Sequence, residues 1–493
     1  MHSFTDDWAA LAHVTPLHAR VGAFLRQGLS RGDYPLNRAL PSSRQLAEQL
    51  GVSRTTVQTA LERLVDDRLI TAKPRSGMYP ATAPTLPPPA PGRAAADDPA
   101  TAPAASCVDW DELFYRDAPP VTRIVVPDQR RYPFPFMSGQ VEENTFPTRS
   151  WLKAVNAAMS GRNLHVALGD PREGDDPMLV NALVEEVLAP RGVRAGPDEV
   201  MITAGTQQSL SLLSLALVGP GVRVAFENPG YVDAYQVFAA SGARMQHMRV
   251  DREGAVAHDA AGAHLVYLTP SSHHPTSVAL SPERRRRFLA LAESSDAVVV
   301  EDDYDAEIRL QGPPLAPMKS IDRSGRVVYL GTFSKYLAPG LRMGYVVAAP
   351  ELIAALRRFR HFSTKTPSPM LQRSLALFVR SGDYARQLRS YRLRVRSKYE
   401  QFREAVGTYL PDMAGQLVVP QMNMWMHDPQ GADTADWSVR ARGRGVLVSP
   451  GELYYAPGAV VRRDEVRVGL ASISEVRIAT GVRELAAARG GLR

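Results

Sequence analysis

The chain has 493 residues, of which 44% are hydrophobic and 22% charged, and its formal net charge is +7. Single hydrophobic cores stop growing at roughly 250 to 300 residues, so this length predicts more than one domain. The composition is that of a folded protein and argues against wholesale disorder and against a fibrous repeat. The positive charge permits nucleic-acid binding, but it is spread over a large chain and decides nothing by itself.

The cysteine content and the first residues both indicate a cytoplasmic protein. Cys107 is the single cysteine, which excludes a disulfide framework and a cysteine-based metal cluster within one chain and fits a reducing compartment. Asp6 and Asp7 stand where a signal peptide needs positive charge. No apolar run approaches the ~20 residues that a bilayer requires. We therefore expect neither export nor a membrane span, and no metal.

The N-terminal segment predicts a helix-turn-helix. An amphipathic helix over residues 13–29 precedes two helices, at 43–50 and 54–66, which are joined by a short corner at Gly51. Ser43 and Ser53 are suited to be the N-caps of these two helices. The apolar residues expected to pack inward are Leu46, Leu50, Val57, Leu61 and Leu64.

The polar residues of this segment are suited to DNA. Phosphates and base edges are the natural partners of the residues left on the outer face, which are Arg44, Arg54, Thr55, Thr56 and Gln58. Ser43 is a further candidate for DNA contact. Residues 69–79 predict two short strands around a basic turn, a wing that could reach a minor groove through Arg75, Ser76 and Gly77. The alternative is a helical hairpin with a solvated Arg/Thr face.

The whole segment resembles the winged helix-turn-helix of GntR-type bacterial regulators. The pattern LPSSR-x-LA-x-x-LGVSR-x-TV runs from Leu40 to Val57. This resemblance implies a small α+β domain that binds double-stranded operator DNA.

A Pro- and Ala-rich stretch follows and predicts an extended linker. Residues 80–106 contain almost only Pro, Ala and small polar residues, without the apolar periodicity that a core requires. We expect a DNA-binding domain at 1–79, a linker at 80–125 and a large domain at 126–493.

The large domain predicts an α/β fold with a mainly parallel sheet. Apolar strand-like runs alternate with helical stretches, for example at 207–218 and 282–293. The strand-like runs lie at 199–203, 222–227, 264–269, 297–301 and 326–330.

Two strand ends carry residues that are suited to pyridoxal phosphate. Asp302 and Tyr304 follow one apolar run, at the sheet edge where α/β folds bind ligands. Thr332 and Lys335 follow another, ahead of Arg342. A lysine can form the internal aldimine, a carboxylate can keep the pyridine nitrogen protonated, and hydroxyl and guanidinium groups can hold the phosphate. Taken singly, each has an ordinary structural alternative, such as a solvated lysine or an aspartate that caps a strand end.

Residues 130–490 resemble fold type I aminotransferases. The lysine motif, the AGTQQ turn at 204–208 and the NPGY turn at 228–231 carry the resemblance. It implies that Tyr231 stacks on the cofactor ring and that Tyr304 bonds its phenolic oxygen. The phosphate contacts that it implies are Gly205, Thr206 and Gln207, at a helix N-terminus.

The same resemblance implies an effector site. Arg467 matches the position that receives a substrate carboxylate in this fold, a task to which a guanidinium is suited. The alternative is an arginine on a surface strand. Asp233 lies two residues after Tyr231, where some relatives carry a basic effector contact. We therefore expect an effector with a second amino group.

The order of these segments identifies the chain as resembling the MocR subfamily of GntR-type regulators. The resemblance implies a homodimer whose pyridoxal-phosphate domain senses a small amino acid or amine by aldimine exchange and repositions the DNA-binding heads. We expect a transcription regulator and not an enzyme, although a transaminase half-reaction is compatible with it. The alternative is an active aminotransferase with an appended DNA-binding domain.

Two departures from the family pattern concern the cofactor site. His274 replaces an apolar residue in the segment PSSHHPTS, and the simplest interpretation is a satisfied, half-buried histidine. A bond to the cofactor's phenolic oxygen is the alternative. Leu168 stands near the place of an expected tyrosine, which removes one phosphate contact from the partner subunit and predicts weaker cofactor binding.

Overall fold

The structure is a computed structural model that describes residues 4–73, 76–81, 129–137, 142–170, 174–310 and 315–489. Two compact units divide the chain, at residues 1–109 and 110–493. The predicted linker lies outside the described residues except for Pro80 and Ala81, as do Cys107 and Arg75. In the described part of the chain, no helix is both long and apolar enough to cross a bilayer.

The N-terminal unit is a helical cluster followed by a two-stranded wing. Its elements are α1 (Phe4–Ala10), α2 (Leu17–Arg31), α3 (Ser43–Leu50), α4 (Arg54–Asp66), β1 (Ile70–Lys73) and β2 (Gly77–Pro80). The two strands pair antiparallel, with Ile70 opposite Pro80 and Lys73 opposite Gly77. The five inward positions predicted from the sequence are all buried, together with Val21 and Phe24 of α2.

Two helix starts differ from the prediction. Helix α2 begins at Leu17 and not at His13, because Pro16 is extended and forms the N-cap. The N-cap of α3 is Ser42 and not Ser43. The Ser42 hydroxyl accepts from the Gln45 backbone N–H at 3.3 Å, and the Gln45 side chain accepts from the Ser42 N–H at 2.9 Å. This reciprocal pair is a capping box, which satisfies two N–H groups at once.

The large unit is built on an eight-stranded sheet between layers of helices. The elements from its start to the last strand of this sheet are β3 (Phe134–Pro135), α5 (Thr148–Ala158), α6 (Gly161–Leu168), α7 (Pro177–Ala182), β4 (Val200–Thr203), α8 (Thr206–Leu217), β5 (Arg223–Asn228), α9 (Val232–Ala240), β6 (Arg244–Asp251), β7 (Gly254–Ala255), β8 (Leu265–Leu268), α10 (Pro282–Ser294), β9 (Val298–Asp302), α11 (Met318–Ile321), β10 (Val327–Thr332) and β11 (Gly344–Val347).

The strand order is β4-β11-β10-β9-β8-β5-β6-β7. The central pairs are parallel, whereas β11 runs antiparallel to both β10 and β4, and β7 runs antiparallel to β6. Helices α8 and α9 pack on one face of the sheet, and α10 packs on the other. The five predicted strands are present within two residues of their expected ends, which confirms a mainly parallel sheet.

A smaller lobe completes the large unit. Two helices that precede it, α12 (Pro350–Ser363) and α13 (Pro369–Arg380), pack into the cores of the large sheet. The elements of the lobe are α14 (Asp383–Tyr409), β12 (Asn423–His427), α15 (Thr434–Gly443), β13 (Val446–Leu447), β14 (Ser449–Pro450), β15 (Glu465–Gly469) and α16 (Ile478–Arg489). Strands β12, β15 and β14 form an antiparallel sheet in that order. Helices α14, α15 and α16 bury its apolar residues in a separate core.

Candidate functional site

The site lies where two neighbouring strands of the large sheet end. Strands β9 and β10 are parallel, and Asp302 pairs in register with Leu330. Their carboxyl ends therefore meet, which places Asp302 and Tyr304 beside the loop that carries Thr332 and Lys335. The Lys335 ammonium lies 5.6 Å from the centroid of the Tyr304 ring. The two motifs recognised in the sequence thus form one site.

Asp302 is a buried carboxylate with one oxygen engaged. Its Oδ2 accepts a hydrogen bond from the Tyr267 hydroxyl at 2.8 Å, whereas Oδ1 has no hydrogen-bond partner among the described residues. Burial raises the pKa of Asp302 to about 7, against the lowering effects of Tyr267 and of the Lys335 charge. Burial also raises the pKa of Tyr304 above its usual range, so its phenol stays protonated and can donate.

The N-terminus of α8 forms an anion cradle with Arg342. Gly205, the N-cap of α8, has φ 87°, in the left-handed region. A Cβ built there would lie 3.6 Å from the guanidinium carbon of Arg342. Thr206 opens the helix, and the side-chain oxygen of Gln207 accepts from the Tyr231 hydroxyl at 3.3 Å. Backbone N–H groups, the helix dipole and a guanidinium converge here, which favours a phosphate.

The loop after β10 supplies two hydroxyl groups near the same place. The Thr332 hydroxyl accepts from the Ser334 backbone N–H at 3.1 Å and lies 3.4 Å from the Met343 carbonyl, to which it donates. The Ser334 hydroxyl is buried and has no hydrogen-bond partner in the part of the chain that the structure describes. Ser334 is thus a further candidate for the phosphate site.

Aromatic rings line the other side of the site. His274 contacts Tyr231, Tyr304 and Tyr454, with ring centroids 5.2, 6.0 and 5.3 Å apart. Its Nδ1 is buried and finds no hydrogen-bond partner within the described ranges, whereas the backbone of Gly230 hydrogen-bonds the imidazole. The interpretation of His274 as a satisfied, half-buried histidine stays a prediction. Burial, with the charges of Arg467 and Lys335, holds the pKa of His274 well below its usual range. The imidazole is therefore neutral.

Arg467 belongs to this site and is not a surface residue. It is 3% exposed and lies on β15, opposite Trp425 of β12 and Ser449 of β14. Its guanidinium carbon is 5.6 Å from the centroid of the Tyr454 ring, and Tyr454 also contacts Trp425. Sequence reasoning found Arg467 but missed Tyr454, Trp425 and Tyr267, whose positions no local motif marks.

Asp233 has an ordinary structural explanation. It lies half-buried in the first turn of α9. A carboxylate there is stabilised by the helix dipole, which accounts for it without a ligand. Its role toward an effector stays a prediction.

Among the predicted DNA-contacting residues of the two helices, Arg54 contacts Ser43. Arg44, Arg54 and Thr55 are exposed, and Arg54 Nε donates to the Ser43 hydroxyl at 3.3 Å. Thr56 is half-buried, and its backbone N–H donates to Ser53 at the start of α4.

In the wing, the exposed residues Ser76 and Gly77 lie at the turn between β1 and β2. The hydroxyl groups of Ser76 and Tyr79 are 2.7 Å apart. The Lys73 ammonium lies 4.3 Å from the centroid of the Tyr79 ring. Arg75 falls outside the described residues.

Comparison with known families accounts for both units. A family model described as aminotransferase class I and II matches residues 138–485, and one described as bacterial regulatory proteins, gntR family, matches residues 17–79. Kynurenine aminotransferase from Pyrococcus horikoshii is similar to the chain, with a TM-score of 0.67 and 27% identity over 74% of this chain and 92% of that one. The α-aminoadipate aminotransferase LysN from Thermus thermophilus has the same TM-score and identity over 78% and 99%.

Membership in the aminotransferase class I and II family implies pyridoxal 5′-phosphate as the cofactor. The side chains present fit this group. Asp302 Oδ1 is a buried acceptor without a partner among the described residues, as a pyridinium N–H requires. The cradle of Gly205 and Arg342 is suited to the phosphate, and Lys335 carries the primary amine with which an aldehyde can condense.

Relatives with both units are transcription regulators. The HTH-type transcriptional regulator TauR of Rhodobacter capsulatus is 36% identical over 478 residues, which cover 96% of each chain. The probable rhizopine catabolism regulatory protein MocR of Rhizobium meliloti is 32% identical over 449 residues, 88% of this chain and 86% of that one. With a GntR winged helix joined to an aminotransferase-like domain, this chain belongs to the MocR subfamily of GntR-type transcription regulators.

Proposed function

We propose that the chain binds promoter DNA and senses a small amino compound in its aminotransferase-like domain, by transferring the cofactor's attachment from Lys335 to the effector's amine. The observation that carries this proposal is the meeting of Lys335, Asp302 and Arg467 around one aromatic-lined site, in a chain that also has a winged helix. A regulator that responds to an amine needs a group that the amine can displace, and Lys335 is such a group.

The side chains would divide the work as follows. When bound, pyridoxal phosphate supplies an aldehyde that condenses with primary amines and a ring that draws electrons. Asp302 would keep a proton on the ring nitrogen, and the Tyr304 phenol would donate to the ring oxygen. Tyr231 would stack on the ring.

The remaining residues would hold the phosphate of the cofactor and the acid group of the effector. Gly205, Thr206, Gln207, Thr332 and Arg342 would receive the phosphate. Arg467 would receive an acid group of the effector through paired hydrogen bonds. Because His274 is neutral, it would not offer that acid group a second positive charge. An effector whose acid group is held by one guanidinium therefore fits this site.

The proposal includes the organisation of the chain. A DNA-binding domain at 1–79, a linker at 80–125 and an effector domain at 126–493 would assemble as a homodimer in the cytoplasm, so that two heads meet the two half-sites of an operator. The effector can reposition the heads only if it binds two arrangements of the large domain unequally.

The second candidate function is catalytic. Lys335, Asp302 and Tyr304 are the residues that the first steps of transamination need, and the similar solved structures are aminotransferases. The winged helix favours regulation, since a dedicated enzyme has no need of sequence-specific DNA binding. We propose that the chain is a regulator that turns over slowly or not at all.

Titration of candidate amino acids, diamines and amines against the absorbance of the bound cofactor tests the sensing step. An effector should change the spectrum at once and leave it stable, whereas a substrate pair should produce continuous turnover. If none of these compounds changes the spectrum of a protein that still binds promoter DNA, sensing through Lys335 is rejected.

A further inference from the structure

Two adjacent aspartates at the end of β9 each receive a hydrogen bond from a buried tyrosine, on opposite faces of the sheet. The Tyr267 hydroxyl donates to Asp302 Oδ2 at 2.8 Å, and the Tyr329 hydroxyl donates to Asp303 Oδ2 at 3.0 Å. Both tyrosines are fully buried. Successive strand residues point to opposite faces, so only Asp302 faces the cofactor site.

The ring of Tyr267 is held in place by packing. It stacks on Phe226 of β5 with centroids 5.4 Å apart and an interplanar angle of 11°, and it contacts Phe238 of α9 at 6.0 Å. Burial keeps the pKa of Tyr267 well above its usual range, so the phenol remains a donor. The ring therefore presents its O–H to Asp302 from a position that the core determines.

We propose that Tyr267 is a positioning residue for the cofactor: its hydroxyl holds Asp302 in the ionised form and directs the second oxygen, Oδ1, at the pyridine nitrogen. This inference rests on the proposed function, because it assumes that Asp302 meets that nitrogen. A carboxylate that has lost a donor in a buried site is more basic, and it then competes with the ring for the proton.

The charged groups around Asp302 act on its ionisation in opposite directions, so the hydrogen bond from Tyr267 decides which form is favoured. Lys335 favours the ionised carboxylate, whereas Asp303, the next residue in the chain, opposes it. Glu227 on β5 is a further buried acid nearby, which accepts two hydrogen bonds from Thr269 and has its pKa raised to about 8 by burial. Of these neighbours, Tyr267 is the one that donates a hydrogen bond directly to the carboxylate.

Tyr329 provides a matched control. It is equally buried and also bonds an aspartate of the pair, but its hydroxyl accepts from Arg191 at 2.6 Å, and Arg191 pairs with Asp303 at 2.5 Å. Its loss should lower the stability of the fold, because it removes a shared partner from a buried ion pair. Its hydroxyl bonds Asp303 and not Asp302.

The experiment compares Tyr267→Phe and Tyr329→Phe in the full-length chain, by cofactor titration of the apoprotein and by pH titration of the absorbance of the lysine-bound cofactor. Tyr267→Phe should raise the Kd for pyridoxal phosphate about fivefold or more, as expected for loss of a hydrogen bond to a charged group. It should also move the absorbance midpoint to higher pH, because a less positive ring makes the imine nitrogen more basic. Tyr329→Phe should lower Tm. It should change neither the Kd for pyridoxal phosphate nor the acid constant given by the absorbance midpoint by more than about twofold.

Two further measurements keep the test decisive. In an Asp302→Asn background, Tyr267→Phe should shift the midpoint no further. If Tyr267→Phe does not fold, 3-fluorotyrosine at position 267, a stronger donor of nearly the same shape, should move the midpoint to lower pH. Unchanged values in the position-267 variants, or equal shifts with Tyr329→Phe, would overturn the inference. If the unsubstituted protein binds no cofactor, the proposed function itself fails.

Discussion

The guanidinium of Arg342 lies over the Cα of Gly205, so close that a methyl group on Gly205 would touch it at 3.6 Å. This approach joins the turn after β10 to the start of α8. A side chain at position 205 would occupy the space that we assign to the phosphate. A residue other than glycine would also be strained at the backbone angle φ 87°.

We expect Gly205→Ala to weaken binding of pyridoxal phosphate by about tenfold or more, measured by titration of the apoprotein. The matched control is Gly221→Ala, whose φ of 90° carries a similar backbone cost of about 1 to 3 kcal/mol, but whose Cβ would meet open space. Equal losses of affinity in the two variants would show that backbone strain and not the cradle is responsible.

Cofactor binding should also depend on pH through Asp302. Burial raises the pKa of Asp302 to about 7, and the pyridinium requires the ionised form, so affinity should rise with pH from about 6 to about 8. Asp302→Asn should bind pyridoxal phosphate more weakly, and its affinity should no longer change with pH over this range. A pH profile of the same shape in Asp302→Asn would assign the dependence to another group.

The effector's acid should be held by Arg467. Its replacement in Arg467→Ala should abolish the response to carboxylate effectors in both absorbance and operator affinity, while pyridoxal phosphate stays bound. Arg463→Ala, which removes an exposed arginine paired with Asp433, should respond normally. An undiminished response in Arg467→Ala would place the acid elsewhere.

Specific DNA binding should depend on the exposed start of α4. Arg54→Ala should cost about 1 to 3 kcal/mol on the operator if its guanidinium reads a base edge. The control is Arg63→Ala, at an exposed position in the last turn of the same helix. We expect Arg44→Ala and Arg75→Ala to weaken binding through phosphates, with a smaller salt dependence. Equal affinities of the Arg54 and Arg63 variants would reject this docking.

The motif residues could be predicted from the sequence because each follows a strand that its own apolar run marks. Lys335 and Asp302 stand at the ends of β10 and β9, and the topology of a parallel sheet brings such ends together. The role of Tyr267 could not be predicted, because in the sequence it looks like any other buried strand residue. Its hydrogen bond to Asp302 joins positions 35 residues apart. Its partner becomes visible only when β8 and β9 are paired.

Local ambiguities explain the remaining differences. Ser42 and Ser43 are equally good caps by residue type, and the reciprocal bond with Gln45 selects Ser42. The aromatic surroundings of His274 could not be predicted from a local pattern either. Its place between three tyrosines is set by segments far apart in the chain.

The central claim is that an amino compound bound through Lys335 changes the binding of DNA. The most direct measurement is the operator affinity of the full-length protein loaded with pyridoxal phosphate, with and without an effector identified by absorbance, in the unsubstituted chain, in Lys335→Ala and in the surface control Lys153→Ala. The account predicts that the effector changes operator affinity in the unsubstituted chain and in Lys153→Ala, and that Lys335→Ala binds the operator without responding. An effector response that persists in Lys335→Ala would contradict it.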